Sequence, residues 1–374
     1  MSTPSQAEVR RMIAAAGTIV VKVGSSSLTQ PSGHLDPDKL DALAAALAQV
    51  RLMGGRVVLV SSGAIAAGFG PLGFDSRPVD VATQQATAAV GQGLLMARYE
   101  TAFGRFGIRV GQILITAEDT IRATQYRNVE RTLDRLLDLG VVPIINENDS
   151  LASNEIRFGD NDRLSALVAN LVRAEALVLL TDVDALYTAP PSQPGSRRVE
   201  YVPNVIDALG DIQVSGSGSK VGTGGMVTKL EAARVAAVSG IPTVLTCASN
   251  AGPAMMGDPV GTVFAPVKAR GSSRRLWIGF PRGTIVVDAG AGQAIRGGRA
   301  SLLAAGALEV HGDFSAGDPV WIDAESGEHL ARGLAGFDSE EIPQMLGRNT
   351  AQLKRFLGPQ YAHPLVHRDN LVLV

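Results

Sequence analysis

The chain has a single cysteine among 374 residues, Cys247, so no intrachain disulfide can form. A reducing cytoplasm suits such a protein, and Cys247, closing the apolar run PTVLTC, reads as a buried, inert thiol. There is no run of eighteen apolar residues, so no segment is expected to span a membrane. The opening RRMIAAAGTIVVKVG superficially imitates a secretory or twin-arginine signal, but Lys22 interrupts its apolar run. Charge of one sign is lacking too. A net charge of −2 gives no bulk electrostatic reason to bind nucleic acid or a membrane surface. At 45% hydrophobic and 19% charged residues the composition is that of a globular protein long enough for two domains.

Several catalytic signatures are missing as well. No G-x-x-x-x-G-K-[ST] is present, no well-placed G-x-G-x-x-G, and no G-x-S-x-G. The five histidines lack metal-ligand spacing. His363 and His367 are four apart, but Pro364 opposes the helix that would align them. What remains is anion cradling by glycine turns, lysines, and acidic or amide side chains.

The most informative stretch is VVPIINENDSLASNEIRFGDNDRLSALVANL. An apolar, β-branched run from Val141 to Ile145 ends in Asn146, Glu147, Asn148 and Asp149. A second polar cluster, Gly159 to Asp162, opens an amphipathic helix with Leu164, Leu167, Val168 and Leu171 on its apolar side. Strand ends that turn polar are where open α/β sheets place ligands. Asp160 or Asn161 as a plain helix cap is the bland alternative.

Strands and helices alternate around this stretch. Thr18 to Val23 reads as a strand, followed by the turn Gly24 to Ser27. Asp36 and Pro37 start a helix buried through Leu40, Leu43, Leu47 and Val50 and ended by Gly54 and Gly55. Val57 to Val60 is a strand, after which Ser61, Ser62 and Gly63 open an alanine-rich helix. Long helical stretches cover residues 81–103 and 123–139, and IRVGQILIT lies between them as a strand. Ala176 to Leu180 is a buried strand ending in Thr181 and Asp182. Such alternation gives an α/β fold with a mainly parallel open sheet sandwiched by helices. We read residues 1–268 as this domain. After Ala269 to Ser273 the pieces become short and turn-punctuated, so residues 274–374 read as a small, mainly β domain.

Gly24 to Ser27, Ser61 to Gly63 and Gly222 to Gly225 each present backbone N–H groups where an anion is favoured. Lys22 ends the first strand and Lys229 lies in the first turns of the helix after GTGGM; both would face the carboxyl edge of the sheet. Cations held near phosphates suit phosphoryl transfer.

VVKVGSSSLT, VSSGAIAAG, PIINENDS, FGDNDRLSALVA, LLTDVDALY and GTGGMVTKLEAA, in this order, resemble the amino acid kinase family and within it the glutamate 5-kinases. TIVVDAGAGQAI, SLLAAGALEVHGDFSAGDPVWI and VHRDNLVLV resemble the PUA domain that many of these enzymes carry. Ser25 stands where the family commonly has threonine. The resemblance implies phosphorylation of the side-chain carboxylate of L-glutamate by ATP, the first step of proline biosynthesis, with proline as feedback inhibitor. It makes Lys22, Lys229 and Asp162 the catalytic set, Asp162 holding both ammonium groups. Lys22, Thr181, Asp182 and the run Thr223, Gly224, Gly225, Met226, Val227, Thr228 and Lys229 would contact ATP. Ser62, Asp149 and Asn161 would bind the amino acid, with Asn146 in support. Mg²⁺ is expected on the nucleotide phosphates, and no residue is assigned to a metal. Homodimers or homotetramers are a further family expectation.

Other amino acid kinases (acetylglutamate kinase, aspartokinase, carbamate or nucleotide kinases) are the competing enzymes, but the paired polar clusters and the tail set this chain apart from them. PUA domains also occur in RNA-modifying proteins. From Gly271 onward, however, ten Lys and Arg face eleven Asp and Glu, which is no phosphate-tracking surface. Regulation or assembly is the preferred role for the tail. Ligand binding without catalysis is opposed by the intact Lys22, Asp162 and Lys229.

Overall fold

The computed structural model describes residues 3–74, 78, 80–116, 123–148, 161–205, 225–267, 281–298 and 300–373. The chain divides into two compact units, one built on an eight-stranded sheet and the other on a five-stranded sheet.

In the first unit the strands are β1 (Thr18–Val23), β2 (Arg56–Ser61), β3 (Val110–Ile115), β4 (Val142–Glu147), β5 (Ala176–Thr181), β6 (Leu186–Tyr187), β7 (Arg198–Val199), β8 (Tyr201–Val202), β9 (Thr243–Cys247) and β10 (Thr262–Phe264). The helices are α1 (Gln6–Ala14), α2 (Ser25–Leu28), α3 (Pro37–Leu52), α4 (Ala64–Gly68), α5 (Val81–Gly104), α6 (Ala123–Asp138), α7 (Asn161–Leu171), α8 (Met226–Val238) and α9 (Ala251–Met255). The sheet order is β3-β4-β2-β1-β5-β9-β10-β8, and every pairing is parallel except β9 with β10. Among the described residues, strands β6 and β7 pair only with each other, as a hairpin around residues 188–197, which are rich in Pro and Ser.

Alternation along β1 decides what each face meets. Ile19, Val21 and Val23 join one core with Leu40, Leu43 and Leu47 of α3, Leu95, Tyr99 and Phe103 of α5, and Val9 and Ile13 of α1. Val20 and Lys22 point to the opposite face, over which α7 and α8 pack. Helix α3 starts as its sequence dictates, with Asp36 accepting from the N–H groups of Asp38 and Lys39 and Pro37 at the first helical position.

Three local readings change. Gly24 to Ser27 is not a plain turn, because Gly24 caps the short helix α2. Strand β4 continues past Ile145 through Asn146 and Glu147, whose backbones pair with Leu114 and Ile115 of β3. Cys247 is half-buried rather than buried, since it is the last residue of β9 at the sheet's carboxyl edge, and its thiol lies 3.2 Å from Ser249 Oγ. Among the described residues no helix is long and apolar enough to cross a membrane.

The second unit holds β11 (Gly283–Val287), β12 (Ala307–Gly312), β13 (Pro319–Ala324), β14 (His329–Leu334) and β15 (Leu371–Leu373), in the order β12-β11-β13-β14-β15. Only β11 and β13 pair in parallel. Two helices that the sequence reading did not single out pack here, α10 (Ala289–Arg296) and α11 (Thr350–Phe356). This unit also holds single 3-10 turns at Ala304–Gly306 and Ile342–Gln344.

One close approach in the first unit bears on the site. Helices α4 and α5 cross in backbone contact at Gly68 and Gly91. A Cβ at Gly91 would lie 1.7 Å from the Ala64 carbonyl oxygen, and one at Gly68 would lie 2.2 Å from that of Thr87. Backbone cannot yield as a side-chain tip does. Gly91→Ala should therefore destabilise the protein by at least about 1–3 kcal/mol, seen as a lower urea midpoint. An unchanged midpoint would show that the crossing is looser than this.

Candidate active site

In this sheet the chain moves outward from β1 through β2 to β4 on one side, and through β5 to β9 on the other. The order reverses beside β1, and in open α/β sheets ligands bind at the carboxyl ends of the strands at such a reversal. Lys22 lies at that point, next to last in β1 and opposite Val60 of β2 and Leu179 of β5. Its face of the sheet turns it toward the first turns of α7 and α8.

There Asp162 meets two ammonium groups at once. Lys22 Nζ lies 2.6 Å from Asp162 Oδ1, and Lys229 Nζ lies 3.1 Å from Asp162 Oδ2. Thr228 Oγ1 donates to Asp162 Oδ2 at 2.9 Å, and Ser165 Oγ donates to the Asp162 carbonyl at 2.6 Å. Lys22 is 2% exposed, Asp162 0% and Lys229 7%. Two buried cations share one carboxylate, so the three charges leave a net positive centre. Desolvating them is costly unless the charge finds a partner, and an anion is the natural one. Asp162 also sits in the first turn of α7, where the helix dipole favours a carboxylate. Gly225 precedes α8 without a side-chain cap, which leaves first-turn N–H groups available to an anion beside Lys229.

Against this centre lies a relay of amides. Asn161 Nδ2 donates to Ser62 Oγ and to Asn146 Oδ1, both at 2.8 Å. Asn146 Oδ1 also accepts from the Glu147 N–H at 3.0 Å, while Asn146 Nδ2 donates to Gln92 Oε1 at 3.0 Å. Beneath it, Ser61 Oγ donates to the Ser62 carbonyl and accepts from the Tyr99 hydroxyl at 2.7 Å. Burial raises the Tyr99 phenol well above its ordinary range, so it is a fixed proton donor here.

Residues 17–247 match the amino acid kinase family, and residues 283–357 match the PUA domain. A glutamate 5-kinase of Bifidobacterium longum is 99% identical over the whole of both chains. The chain belongs to the amino acid kinase family, among the glutamate 5-kinases. Those of Bifidobacterium adolescentis and Streptomyces coelicolor are 80% and 54% identical, the first over all of both chains and the second over 98% of this chain and 99% of its own.

Of the residues singled out from the sequence, the structure brings together Lys22, Asp162, Thr228 and Lys229 in one cluster, and Ser62, Asn146 and Asn161 in another. Asn161 and Asp162 are consecutive and join the two. Asn161 is no simple cap, since its amide is buried and bonded across to β2 and β4. Thr181 and Asp182 stand at the end of β5 on the same edge, with Thr181 Oγ1 donating to Asp182 Oδ1 at 2.9 Å. Met226 and Val227 open α8. Asp149, Thr223 and Gly224 lie outside the described residues.

Sequence reasoning missed Gln92. It lies in the middle of α5, 54 positions before the Asn146 it contacts. A polar residue between Gly91 and Gly93 was its only local signal.

Charge arithmetic separates stability from activity at the triad. Lys22→Ala or Lys229→Ala leaves one ammonium against one carboxylate, so melting temperature should hold or rise. Turnover should nevertheless fall about 10²–10³-fold, as when a donor to a developing anion is removed. Asp162→Asn should instead cost about 3–5 kcal/mol of folding stability, because two buried cations then face each other. Denaturation and steady-state kinetics on the three variants check both statements.

Proposed function

We propose that this chain transfers the γ-phosphoryl group of ATP to the side-chain carboxylate of L-glutamate, giving L-glutamyl 5-phosphate and ADP. The observation that carries the reading is the buried Lys22, Asp162 and Lys229 triad at the strand-order reversal, in a chain 99% identical to a glutamate 5-kinase.

The nucleophile needs no activation. The side-chain carboxylate of glutamate has an unperturbed pKa of about 4.3 and is ionised near neutrality. One of its oxygens attacks the γ-phosphorus, the bond from that phosphorus to the β,γ-bridging oxygen breaks, and ADP leaves with the electron pair. Charge spreads over the transferring oxygens and the bridge, and Lys22 and Lys229 neutralise it from fixed positions. Asp162 holds both ammonium groups at the right spacing before substrate arrives. Thr181, Asp182 and the residues from Thr223 to Lys229 serve the nucleotide. Ser62, Asn161 and Asp149, with Asn146 behind them, hold the amino acid. Among the described residues no three His, Cys, Asp or Glu side chains gather to hold a cation. Mg²⁺ would come with the nucleotide, on its phosphate oxygens.

We assign the kinase activity to residues 1–268 and a regulatory or assembly role to residues 274–374. Proline as inhibitor at or near the glutamate site, a homodimeric or homotetrameric state and a cytoplasmic location rest on the family resemblance.

ADP release should be measured with ATP and Mg²⁺ against glutamate, N-acetylglutamate, aspartate and carbamate, with hydroxylamine trapping any acyl phosphate. Turnover with glutamate and a hydroxamate product is expected, and turnover confined to another acid would replace the substrate. Asp149→Ala should raise the KM for glutamate far more than it lowers kcat, and an unchanged KM would remove Asp149 from the substrate site.

A further inference from the structure

We propose that Gln92 is a positioning residue for the amino acid subsite, holding a chain of amides whose hydrogen-bond polarity presents one free acceptor, Asn161 Oδ1, to the substrate ammonium. The inference rests on the glutamate reading above and adds to it how that site tells an α-amino acid from a plain dicarboxylate.

The polarity follows from one group that cannot be reversed. The Glu147 backbone N–H is a donor only, and it points at the Asn146 side chain from 3.0 Å. The atom it meets must therefore be the oxygen of Asn146. The other end of that side chain is then an NH₂, so Gln92 must accept from it through Oε1. Asn161, which bonds the same Asn146 oxygen, must do so with its own NH₂, and the second hydrogen of that NH₂ goes to Ser62 Oγ. Every choice along the relay is forced. Two atoms are left over: Asn161 Oδ1 and Gln92 Nε2 are buried and have no partner among the described residues.

An orphaned buried acceptor costs roughly 1–3 kcal/mol when nothing answers it, and native proteins keep few of them without a functional reason. Asn161 Oδ1 belongs to the residue just before Asp162, so it sits beside the phosphoryl-handling triad. It is an acceptor, which an ammonium can satisfy and a carboxylate cannot. Ser62 is its complement. With its lone pair taken by Asn161 Nδ2, the Ser62 hydroxyl keeps its own hydrogen for a carboxylate. Acceptor and donor lie on one relay, 2.8 Å apart at the Asn161 to Ser62 bond, matching the adjacent ammonium and carboxylate of an α-amino acid.

Gln92 is the far anchor. The Glu147 N–H fixes the sense of the Asn146 amide but holds only its oxygen end; Gln92 Oε1 holds the nitrogen end. Gln92 is 8% exposed and its helix is pressed against α4 at the neighbouring Gly91, so it has little freedom to move. Without Oε1 the Asn146 NH₂ is left buried and unpaired. The Asn146 side chain then gains by rotating away, and Asn161 is released to turn its NH₂ toward the substrate.

The test compares glutamate with glutarate, which lacks only the amino group. Wild-type turnover of glutamate is measured first; its absence would sink the proposed function, and this assignment with it, before any variant is compared. Given that turnover, Gln92→Met should lower the glutamate-to-glutarate ratio of kcat/KM by about tenfold, through the KM for glutamate, with the KM for ATP unmoved. Gln92→Glu should rescue the ratio to within about twofold. Its carboxylate still accepts from Asn146, and the nitrogen it replaces makes no bond. A ratio unchanged in Gln92→Met overturns the proposal, and so does an equal rise in the KM for ATP. The Gln92→Glu protein decides independently of whether Gln92→Met folds: a ratio kept supports the relay, and a ratio lost refutes it.

Discussion

Asp162 divides its two carboxylate oxygens between ammonium groups from distant parts of the chain, and the first unit is arranged to let it do so. One lysine comes from the central strand and the other from a helix more than two hundred residues later. Asp162 cannot be neutralised without leaving two buried cations facing each other, an error of several kcal/mol in a dry site. The triad therefore needs rigid walls. Strand β1, buried from Ile19 to Val23 with a helix layer on each face, supplies them.

Strand parity turns that constraint into an address. Val21 and Val23 go into one core, so Lys22 between them goes to the opposite face, where α7 and α8 begin. The same edge collects the ends of β2, β4 and β5, because parallel strands finish on one side. A mainly antiparallel sheet, such as the one in the second unit, would scatter these ends over two edges. The backbone crossing of α4 and α5 adds a finer adjustment. It holds Gln92 against Asn146, and the consecutive Asn161 and Asp162 join that amide relay to the lysine cluster.

Much of this was legible in the chain. Lys22 interrupts a β-branched run, and Asn146 follows one; Asn161 and Asp162 open an amphipathic helix, and Lys229 follows a glycine-rich turn. Each is a polar residue where local pattern calls for an apolar or neutral one, and such violations stand out in one dimension. Gln92 breaks no pattern, since a glutamine in a long, mixed helix is ordinary. Strand β4 hid its last two residues for the opposite reason. Asn146 and Glu147 look like loop residues, but pairing with β3 overrides the weak intrinsic preference against them. Helix α10, made of AGAGQAIR, has small residues where a helix signal needs a stripe, and only Asp288, which caps it through the Ala291 N–H, marks its start.

The sequence by itself determined the two-part organisation, the parallel α/β class, the family, and the residue types able to handle a phosphoryl group. These follow from periodicity, from turn chemistry and from the order of the motifs, all of which are local. Tertiary structure alone decided which oxygen of Asp162 faces which lysine, that Gln92 meets Asn146, and which way each amide in the relay points. Those are facts about partners far apart in the chain. A hydrogen bond's direction depends on what lies across it, and the neighbour across the fold is what a linear pattern cannot name.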